Sequence, residues 1–356
     1  MPGKVFQLKL VPAAVVLMAV AAIGLGHTDS SSGKPPFQKQ LPEATFLTAG
    51  RTADDPPPSS ALAAGRAWAR EAGSVALLQG EKVVWQFNYG PSLAKPCFHP
   101  VALPGGPVLT LDRPPDHPWH HALWFSWKFI DGVNYWEEDA KTGLADGRTT
   151  WHEPQIETRP DFSARIVMDL SYQPANHQPV MTEHRVIKIS PPDSSGTYYQ
   201  DWTMTFTAVG KDVVLDRTPL PGEPGGQSWG GYAGLSIRFA NEIKDARALT
   251  PDGPVEFADG RYRGKAPGMD YTGLFAGREA GIAVLDAAGN LNSPSPWYAI
   301  SDSSMHYFSP AVIEDGPHTL KADQSFTLRY RVVIHANHFS PEELRAAVNH
   351  FSAESN

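Results

Sequence analysis

The sequence contains a single cysteine, Cys97, among its 356 residues. One cysteine excludes a disulfide framework within the chain and a zinc site built mainly from thiolates. Charged residues make up only 19% of the chain, and the net charge is −8. Because phosphate binding needs clustered lysine and arginine, this balance argues against a nucleic-acid partner. The sequence also lacks a phosphate-binding loop and a dinucleotide fingerprint, so no nucleotide cofactor is indicated.

Long apolar runs are equally scarce, and the one that exists lies at the N-terminus. Residues 10–26 form an uncharged run of 17 residues that follows two lysines. A charged head, an apolar middle and an end of small residues predict a signal peptide at 1–26, with an uncleaved anchor as the alternative. No membrane contact is expected beyond this segment. The Ser- and Pro-rich stretch 27–65 indicates a disordered linker, which leaves a folded domain at 66–356.

Turn-forming and aromatic residues are abundant, with 31 glycines, 33 prolines and 10 tryptophans. Many breakers favour short elements joined by turns. Alternation of apolar and polar residues predicts half-buried strands at 83–89, 165–172, 184–190, 201–209 and 326–335. The sequence SPEE at 340–343 is a capping box that predicts one C-terminal helix. With about a dozen strands expected, the fold class is all-β, a large antiparallel β-sandwich with a short C-terminal helix.

Most of the residues that could perform chemistry lie in one segment, 114–138, with the sequence PPDHPWHHALWFSWKFIDGVNYWEE. It holds three histidines within five positions, and five of the 10 tryptophans fall between 119 and 151. The candidates for catalysis are His117, His120, Asp116 and Glu137. The candidates for substrate contact in this segment are His121, Trp119, Trp124 and Trp136.

Three interpretations of this segment compete. In the first, histidine and carboxylate transfer protons beside an aromatic platform, and tryptophan suits the C–H face of a sugar ring. In the second, His117, His120 and Asp116 bind a divalent metal. In the third, the segment is structural, with a turn at Asp-His-Pro and tryptophans packed in the core. The spacing alone does not decide between them.

Other candidates are spread along the chain. Trp297, His306 and His335 are further candidates for substrate contact, although each also suits a core strand. The stretch 226–230 matches G-x-S-x-G, but no helix pattern follows it, so we expect a glycine-rich loop rather than a nucleophile elbow. Cys97 is expected to be an inert buried thiol.

Six segments, collinear along the chain, carry a resemblance to a known family. They are KPCFHPV (95–101), PPDHPWHHALWF (114–125), GGYAGLSIR (230–238), DYTG (270–273), GIAVLD (281–286) and LRYRVVIH (328–335). These segments resemble bacterial PmoA-like proteins of unassigned function. The methane oxygenase subunit of that name is a multi-pass membrane protein, whereas this chain has one apolar run. The resemblance therefore implies a β-supersandwich fold similar to the sugar mutarotases, in exported proteins associated with carbohydrate metabolism.

This chain departs from the family pattern D-H-P-H-H-R-G-L-W-F at three positions. Trp119 stands where the family has His, His121 where it has Arg, and Ala122 where it has Gly, while His117 and His120 match. The missing histidine weakens the metal interpretation. The missing arginine removes a planar fork that would clamp an anionic or polyhydroxyl ligand.

Residues and resemblance together predict a bacterial protein, periplasmic or secreted, that binds or modifies a small-molecule sugar or glycan. As an enzyme, it would use His117 or His120 with Glu137 or Asp116 for an isomerase- or lyase-type proton transfer. The alternatives are a non-catalytic sugar-binding module and a metal-dependent hydrolase or oxygenase. No cofactor is predicted, and a divalent metal belongs to the alternative only.

Overall fold

The computed structural model describes residues 65–355. These residues fall within one unit of the chain, which spans 46–356. The predicted signal peptide at 1–26 and nearly all of the predicted linker lie outside the described residues. Within the described part, no helix is both long enough and apolar enough to cross a membrane.

The described chain forms 23 strands and one helix, numbered here in chain order. The first eight strands are β1 (Arg66–Glu71), β2 (Ser74–Gln79), β3 (Lys82–Asn88), β4 (Cys97–Val101), β5 (Leu123–Ser126), β6 (Phe129–Ile130), β7 (Val133–Asn134) and β8 (Gly147–Trp151). The next eight are β9 (Gln155–Thr158), β10 (Ala164–Pro174), β11 (Met181–Ile189), β12 (Tyr198–Ala208), β13 (Val213–Asp216), β14 (Gly234–Arg238), β15 (Lys244–Thr250) and β16 (Gly253–Pro254). The last elements are β17 (Arg261–Lys265), β18 (Gly268–Phe275), β19 (Arg278–Asp286), β20 (Pro296–Ser301), β21 (His306–Pro310), β22 (His318–Leu320), β23 (Ser325–Ala336) and α1 (Pro341–Ser355).

Two large sheets and one small sheet contain these strands. The first sheet has nine strands in the order β1-β2-β3-β4-β5-β14-β21-β20-β17. The second has ten strands in the order β16-β15-β18-β19-β23-β12-β11-β10-β8, with β9 also paired to β10. The small sheet has the order β22-β13-β6-β7. The described strand pairings are antiparallel, which confirms the predicted all-β sandwich.

The core lies between the two large sheets, where the alternating sequence pattern places one face of each strand. Along β11, residues alternate between buried and more exposed, as expected for a strand with one face against a core. Aromatic rings from the two sheets meet directly. The ring centroids of Phe98 and Trp202 are 5.6 Å apart, and those of Phe125 and Phe206 are 5.2 Å apart. Strands β3, β10, β11, β12 and β23 match the five segments predicted from alternation.

The C-terminal helix begins at the predicted capping box. The Ser340 backbone nitrogen donates to Glu343 at 2.7 Å, and the Glu343 backbone nitrogen donates to the Ser340 hydroxyl at 3.2 Å. These two bonds satisfy donors that a helix start leaves unpaired. Leu344, Val348 and Phe351 are buried and pack the helix against the second sheet. Near the helix, the second sheet is therefore covered on both faces. The outer face of the first sheet carries a second apolar cluster instead.

Candidate functional site

A cavity of about 310 Å³ lies on the face of the first sheet that points away from the core between the sheets. Its floor is a second apolar cluster that contains Trp124, Trp136, Tyr298 and Tyr307. The cavity is lined by His117, Trp119, His120, Trp136, Glu137, Trp229, Tyr232, Arg261, Tyr298, Ile300, Asp302, Ser304, Met305 and Tyr307. This volume is at the small end of the range for ligand sites, so it suits a small molecule.

Strand alternation decides which aromatic residues reach the cavity. Successive side chains of a strand point to opposite faces of the sheet. On β20, Tyr298 lines the cavity and its neighbour Trp297 packs in the core between the sheets. On β21, Tyr307 lines the cavity and Phe308 packs in that core. On β5, Trp124 lies in the floor cluster.

The histidine loop, residues 112–122, forms one wall of the cavity. The backbone pairs Asp112 with His121 across its base, and its tip turns through a hydrogen bond from the His120 backbone nitrogen to the His117 carbonyl oxygen at 2.9 Å. Ala122 has a φ of 63°, in the left-handed region that side chains rarely adopt. This turn leads the chain from the loop into β5 and sets the direction of the histidine side chains.

At the tip of this loop, His117 forms a pair with Asp116. The His117 Nδ1 lies 2.7 Å from the Asp116 Oδ2, and Arg238 Nη2 donates to the same oxygen at 3.2 Å. Arg238 is fully buried, so its side chain is held in place and fixes the position of the Asp116 carboxylate. Burial acts in the opposite direction, but the His117 hydrogen bond and the Arg238 charge hold the pKa of Asp116 below its usual value. The pair engages Nδ1 only, and His117 is one of the residues that line the cavity.

His120 lies deeper and is held among aromatic rings. Its ring stacks on His117 at a centroid distance of 4.7 Å and on Tyr307 at 5.5 Å, and it lies over Trp124 at 5.2 Å. Burial first, and the nearby cations second, hold the pKa of His120 well below its usual value. The ring is therefore neutral at neutral pH. Its Nδ1 is buried and has no hydrogen-bond partner within the protein.

Glu137 supplies a carboxylate to the cavity, and a cation supports it. Lys128 forms an ion pair with Glu137, and the Tyr232 hydroxyl donates to Glu137 Oε1 at 2.8 Å. Although burial raises it, Lys128 and the hydrogen bonds hold the pKa of Glu137 below its usual value. Glu137 is thus a permanent anion and hydrogen-bond acceptor rather than a proton donor.

The neighbouring residue, Glu138, points to the opposite side and forms a buried polar layer behind the cavity. Lys95 and His121 both contact Glu138 Oε1, the latter at 2.7 Å. The Lys95 ammonium also donates to the Trp136 carbonyl oxygen at 2.8 Å. The side chain of His121, a predicted substrate contact, is fully buried behind the cavity, because it follows His120 and takes the opposite direction.

The structure brings together five of the predicted site residues and separates the others. His117, His120, Glu137, Trp119 and Trp136 line the cavity, and Asp116 and Trp124 support His117 and His120 from behind. The remaining candidates do not line it. The Trp297 indole donates to the Ala266 carbonyl oxygen at 2.8 Å, and the His306 Nδ1 lies 2.8 Å from the Tyr271 hydroxyl. Each is a strand neighbour of a residue that does line the cavity, Tyr298 and Tyr307 respectively, and so faces the opposite side of the sheet.

His335 lies in the second sheet, on β23, and pairs with a buried carboxylate there. Its Nε2 lies 2.9 Å from Asp270 Oδ1, and its ring stacks on Phe339 with a centroid distance of 4.1 Å. Burial lowers the pKa of His335, but Asp270 outweighs this effect and the pKa is raised. His335, a predicted substrate contact, therefore lies outside the cavity lining.

This buried pair predicts a pH-dependent stability. A histidine whose pKa is raised by folding contributes stability that is fully present below about pH 6.5 and is lost as the pH rises through the raised pKa. We expect the free energy of unfolding to fall by at most about 1.4 kcal/mol per pH unit in that window. Urea unfolding of the wild type and His335→Gln from about pH 5.5 to about pH 8.5 measures this slope. Equal slopes in the two proteins would contradict the prediction.

Several lining residues were missed by sequence analysis. Tyr232 and Trp229 come from a glycine-rich loop at 217–233, and Arg261 comes from β17. This loop contains the G-x-S-x-G stretch at 226–230. A strand follows the loop rather than a helix, as expected. A Cβ on Gly230 would lie 2.0 Å from the Pro219 carbonyl oxygen, so only glycine lets the loop fold back on itself. The loop thereby carries the half-exposed Trp229 to the rim of the cavity.

Comparison with known proteins gives a family but no activity. Residues 74–349 match the model of a family of unknown function, DUF6807. Comparison with curated proteins finds no sequence match. The expected match to a family of unassigned function is therefore confirmed, while the name PmoA-like stays a prediction.

Solved structures with a similar chain path include sugar enzymes. An α-galactosidase from Lactobacillus brevis matches with a TM-score of 0.38 and 9% identity over 76% of this chain, which spans 39% of that enzyme. A proposed aldose 1-epimerase from Klebsiella pneumoniae has a TM-score of 0.39, 11% identity, and coverage of 80% of this chain and 82% of its own. A galactose mutarotase related enzyme from Lactobacillus acidophilus has a TM-score of 0.30, 7% identity, and coverage of 76% and 98%.

Proposed function

Because this chain belongs to DUF6807, a family of unknown function, we propose an activity from the geometry of its cavity alone. The cavity binds a sugar or a related polyol, and His117 transfers a proton to or from the bound molecule. One observation carries this proposal: an oriented histidine–carboxylate pair, His117 with Asp116, opens into a small cavity whose other walls are mainly aromatic.

The lining residues match the two kinds of surface that a sugar presents. A pyranose ring has apolar C–H faces, which pack on aromatic rings, and hydroxyl groups around its edge, which need hydrogen-bond partners. Trp119, Trp136, Tyr298 and Tyr307 supply the rings. Acceptors and donors for hydroxyl groups are supplied by Glu137, Asp302, Ser304 and Arg261. This set holds two carboxylates and one guanidinium, a net charge of −1, so a neutral polyol suits it better than an anionic ligand.

The proton-transfer part of the proposal depends on how His117 is held. A base needs a fixed ring orientation and one nitrogen directed at the substrate. Asp116 fixes the ring through Nδ1, Arg238 fixes Asp116, and His117 lines the cavity. The proposal assigns the proton transfer to the other ring nitrogen, Nε2. His117 would remove a proton from a carbon next to a carbonyl group. Return of that proton to the carbonyl carbon, while the adjacent hydroxyl proton passes to the carbonyl oxygen, isomerises the sugar. Transfer of the proton from His117 to a leaving hydroxyl group releases water and makes the step a lyase reaction.

A non-catalytic sugar-binding module is the second candidate. Its supporting observation is that Glu137, a carboxylate of the cavity lining, is held ionised by Lys128 and Tyr232. Such a group binds hydroxyl groups but does not donate protons. The metal alternative at His117, His120 and Asp116 has less support, because Asp116 already contacts the cationic Arg238. Export remains part of the proposal and depends on the apolar run 10–26.

Removal of one aromatic wall tests the binding part. We expect Trp119→Ala to weaken sugar affinity about tenfold, because it deletes a stacking surface worth roughly 1–1.5 kcal/mol. Isothermal titration with a panel of hexoses, pentoses and N-acetylhexosamines measures the affinity. The matched control is Tyr199→Ala, which removes an exposed aromatic ring from the second sheet. Unchanged affinity in Trp119→Ala, or no binding by any sugar of the panel, would contradict the proposal.

A further inference from the structure

A second cluster of chemically active groups lies behind the cavity, at the base of the histidine loop. One ligand atom each from Cys97, Asp112 and His121 lies within 4.8 Å of the other two. Within the described residues, this is the one group of three or more histidine, cysteine, aspartate or glutamate side chains whose ligand atoms lie this close together. Cys97 and His121 are fully buried, and Asp112 is half-buried. None of the three lines the cavity.

The imidazole of His121 is arranged as it is in metal sites. Its Nε2 lies 2.7 Å from Glu138 Oε1, and Lys95 in turn holds that carboxylate. A histidine that donates one N–H to a carboxylate presents the lone pair of its other nitrogen. That other nitrogen, Nδ1, is buried and has no hydrogen-bond partner. It lies 3.3 Å from Asp112 Oδ1, a second buried atom without a hydrogen-bond partner.

We propose that Cys97, Asp112 and His121 bind a zinc ion. Thiolate, imidazole and carboxylate are the three side-chain ligands that zinc takes in proteins. Zinc bonds of about 2.0–2.1 Å to nitrogen and oxygen place two tetrahedral ligand atoms about 3.3–3.4 Å apart. The observed separation of 3.3 Å between His121 Nδ1 and Asp112 Oδ1 fits this geometry. A zinc ion would therefore supply a ligand bond to His121 Nδ1 and to Asp112 Oδ1, which have no hydrogen-bond partner in the protein.

The charges around the cluster are consistent with a bound cation. Asp112 and Glu138 are anionic, and Lys95 is the cation that opposes zinc binding most directly. Burial, together with Asp112 and Glu138, raises the pKa of the Cys97 thiol well above its usual value. The thiol is thus protonated without metal. Zinc binding replaces this proton, which passes to solvent, and the sulfur lone pair forms the zinc bond.

The proposed ion would hold the histidine loop in place. Cys97 lies on β4, where it pairs with Trp124 of β5, while Asp112 and His121 lie at the two ends of the loop. One ion would therefore join both ends of the loop to the sheet. Because His117 and His120 lie between these ends, the ion would stabilise the loop that carries them without touching the cavity.

Metal analysis of the full chain, purified without a histidine tag, tests this proposal. We expect about one zinc per chain, and after chelation we expect cobalt(II) to give a thiolate-to-metal charge-transfer band in the near ultraviolet. Cys97→Ala and Asp112→Asn should each weaken zinc affinity by about tenfold or more. The matched control is His184→Ala. The His184 Nδ1 lies 2.7 Å from Asp169 Oδ1, the same distance as between His121 and Glu138, but this pair is exposed. This variant should bind zinc as the wild type does.

Thermal unfolding supplies a measurement that does not depend on any one variant. At a hundredfold excess of zinc over its Kd, we expect the Tm of the wild-type chain to rise by about 4 °C. Under the same zinc concentration the Tm of Cys97→Ala should rise by no more than about half as much, because its affinity is at least tenfold lower. Zinc well below one per chain in the wild type, or a cobalt complex without the charge-transfer band, would overturn the proposal. Equal zinc affinity in the wild type and a folded Cys97→Ala would overturn it as well.

Discussion

Replacement of His117 by glutamine is expected to lower turnover of the sugar substrate by about 10²- to 10⁴-fold while affinity changes by less than about threefold. Glutamine preserves the size of the side chain and part of its hydrogen bonding, but it does not exchange a proton near neutral pH. The ring of His120 and the aromatic walls remain in place, so the sugar still binds. Comparison of kcat with KM in the two proteins separates these effects.

The chain offers a matched control for this variant. His184 and Asp169 in the second sheet form a pair with the same Nδ1–Oδ distance, 2.7 Å, but on an exposed surface. His184→Gln should leave kcat unchanged. Asp116→Asn should lower kcat less than His117→Gln, because Asp116 positions the ring rather than exchanging the proton. Full turnover in His117→Gln would show that another group transfers the proton.

Replacement of Arg185 by methionine is expected to lower the free energy of unfolding by about 3–5 kcal/mol. Arg185 and Glu183 lie on β11 and form a fully buried ion pair, with Arg185 Nη2 donating to Glu183 Oε2 at 2.9 Å. The guanidinium also lies 5.6 Å from the ring centroid of Trp202 and 5.8 Å from that of Phe125, between the two sheets. Methionine fills similar space but leaves the buried Glu183 charge without a cation, with the Tyr172 hydroxyl still donating to its Oε2.

Two further variants show whether the unpaired charge is the cause. Replacement of both residues, Glu183→Leu with Arg185→Met, should recover much of the lost stability, because no charge is then buried. Lys321→Met breaks the exposed pair with Asp212 and should cost less than about 1 kcal/mol. Urea unfolding of the four proteins measures these differences. A double variant less stable than Arg185→Met alone would contradict this account of the core.

The sandwich was predictable from sequence wherever strands are long enough to alternate. Strands β10, β11, β12 and β23 have 9 to 12 residues each, and in each a repeated apolar–polar pattern identifies one buried face. The number of strands was not predictable, because β6, β7 and β16 have two residues each and show no period. The helix was predictable because its capping box is local in sequence.

The candidate site was predictable only where its residues are neighbours in sequence. His117, Trp119 and His120 share one loop, so their clustering is visible in the sequence itself. Arg238 reaches Asp116 across 122 positions, and Tyr232 reaches Glu137 across 95, through sheet pairing that no local pattern encodes.

Side-chain direction is a second feature of the site that the sequence pattern does not determine. A strand residue and its neighbour face opposite sides, so the choice of Trp297 over Tyr298 on β20 selects the wrong face. The same holds for His306 and Tyr307 on β21. In the histidine loop, His120 enters the cavity while His121 turns to Glu138. Composition and spacing identify the correct segments here, but the backbone geometry alone decides which neighbour is in the site.

Proton NMR of a sugar panel in D₂O, with the wild-type chain and with His117→Gln, tests the central claim most directly. Proton abstraction from carbon exchanges that hydrogen for solvent deuterium during isomerisation, and elimination produces new signals. We predict that at least one sugar loses a C–H signal or changes its spectrum with the wild type, and that this change is at least a hundredfold slower with His117→Gln. A sugar that binds while its spectrum stays unchanged would contradict proton transfer and identify the cavity as a binding site without catalysis.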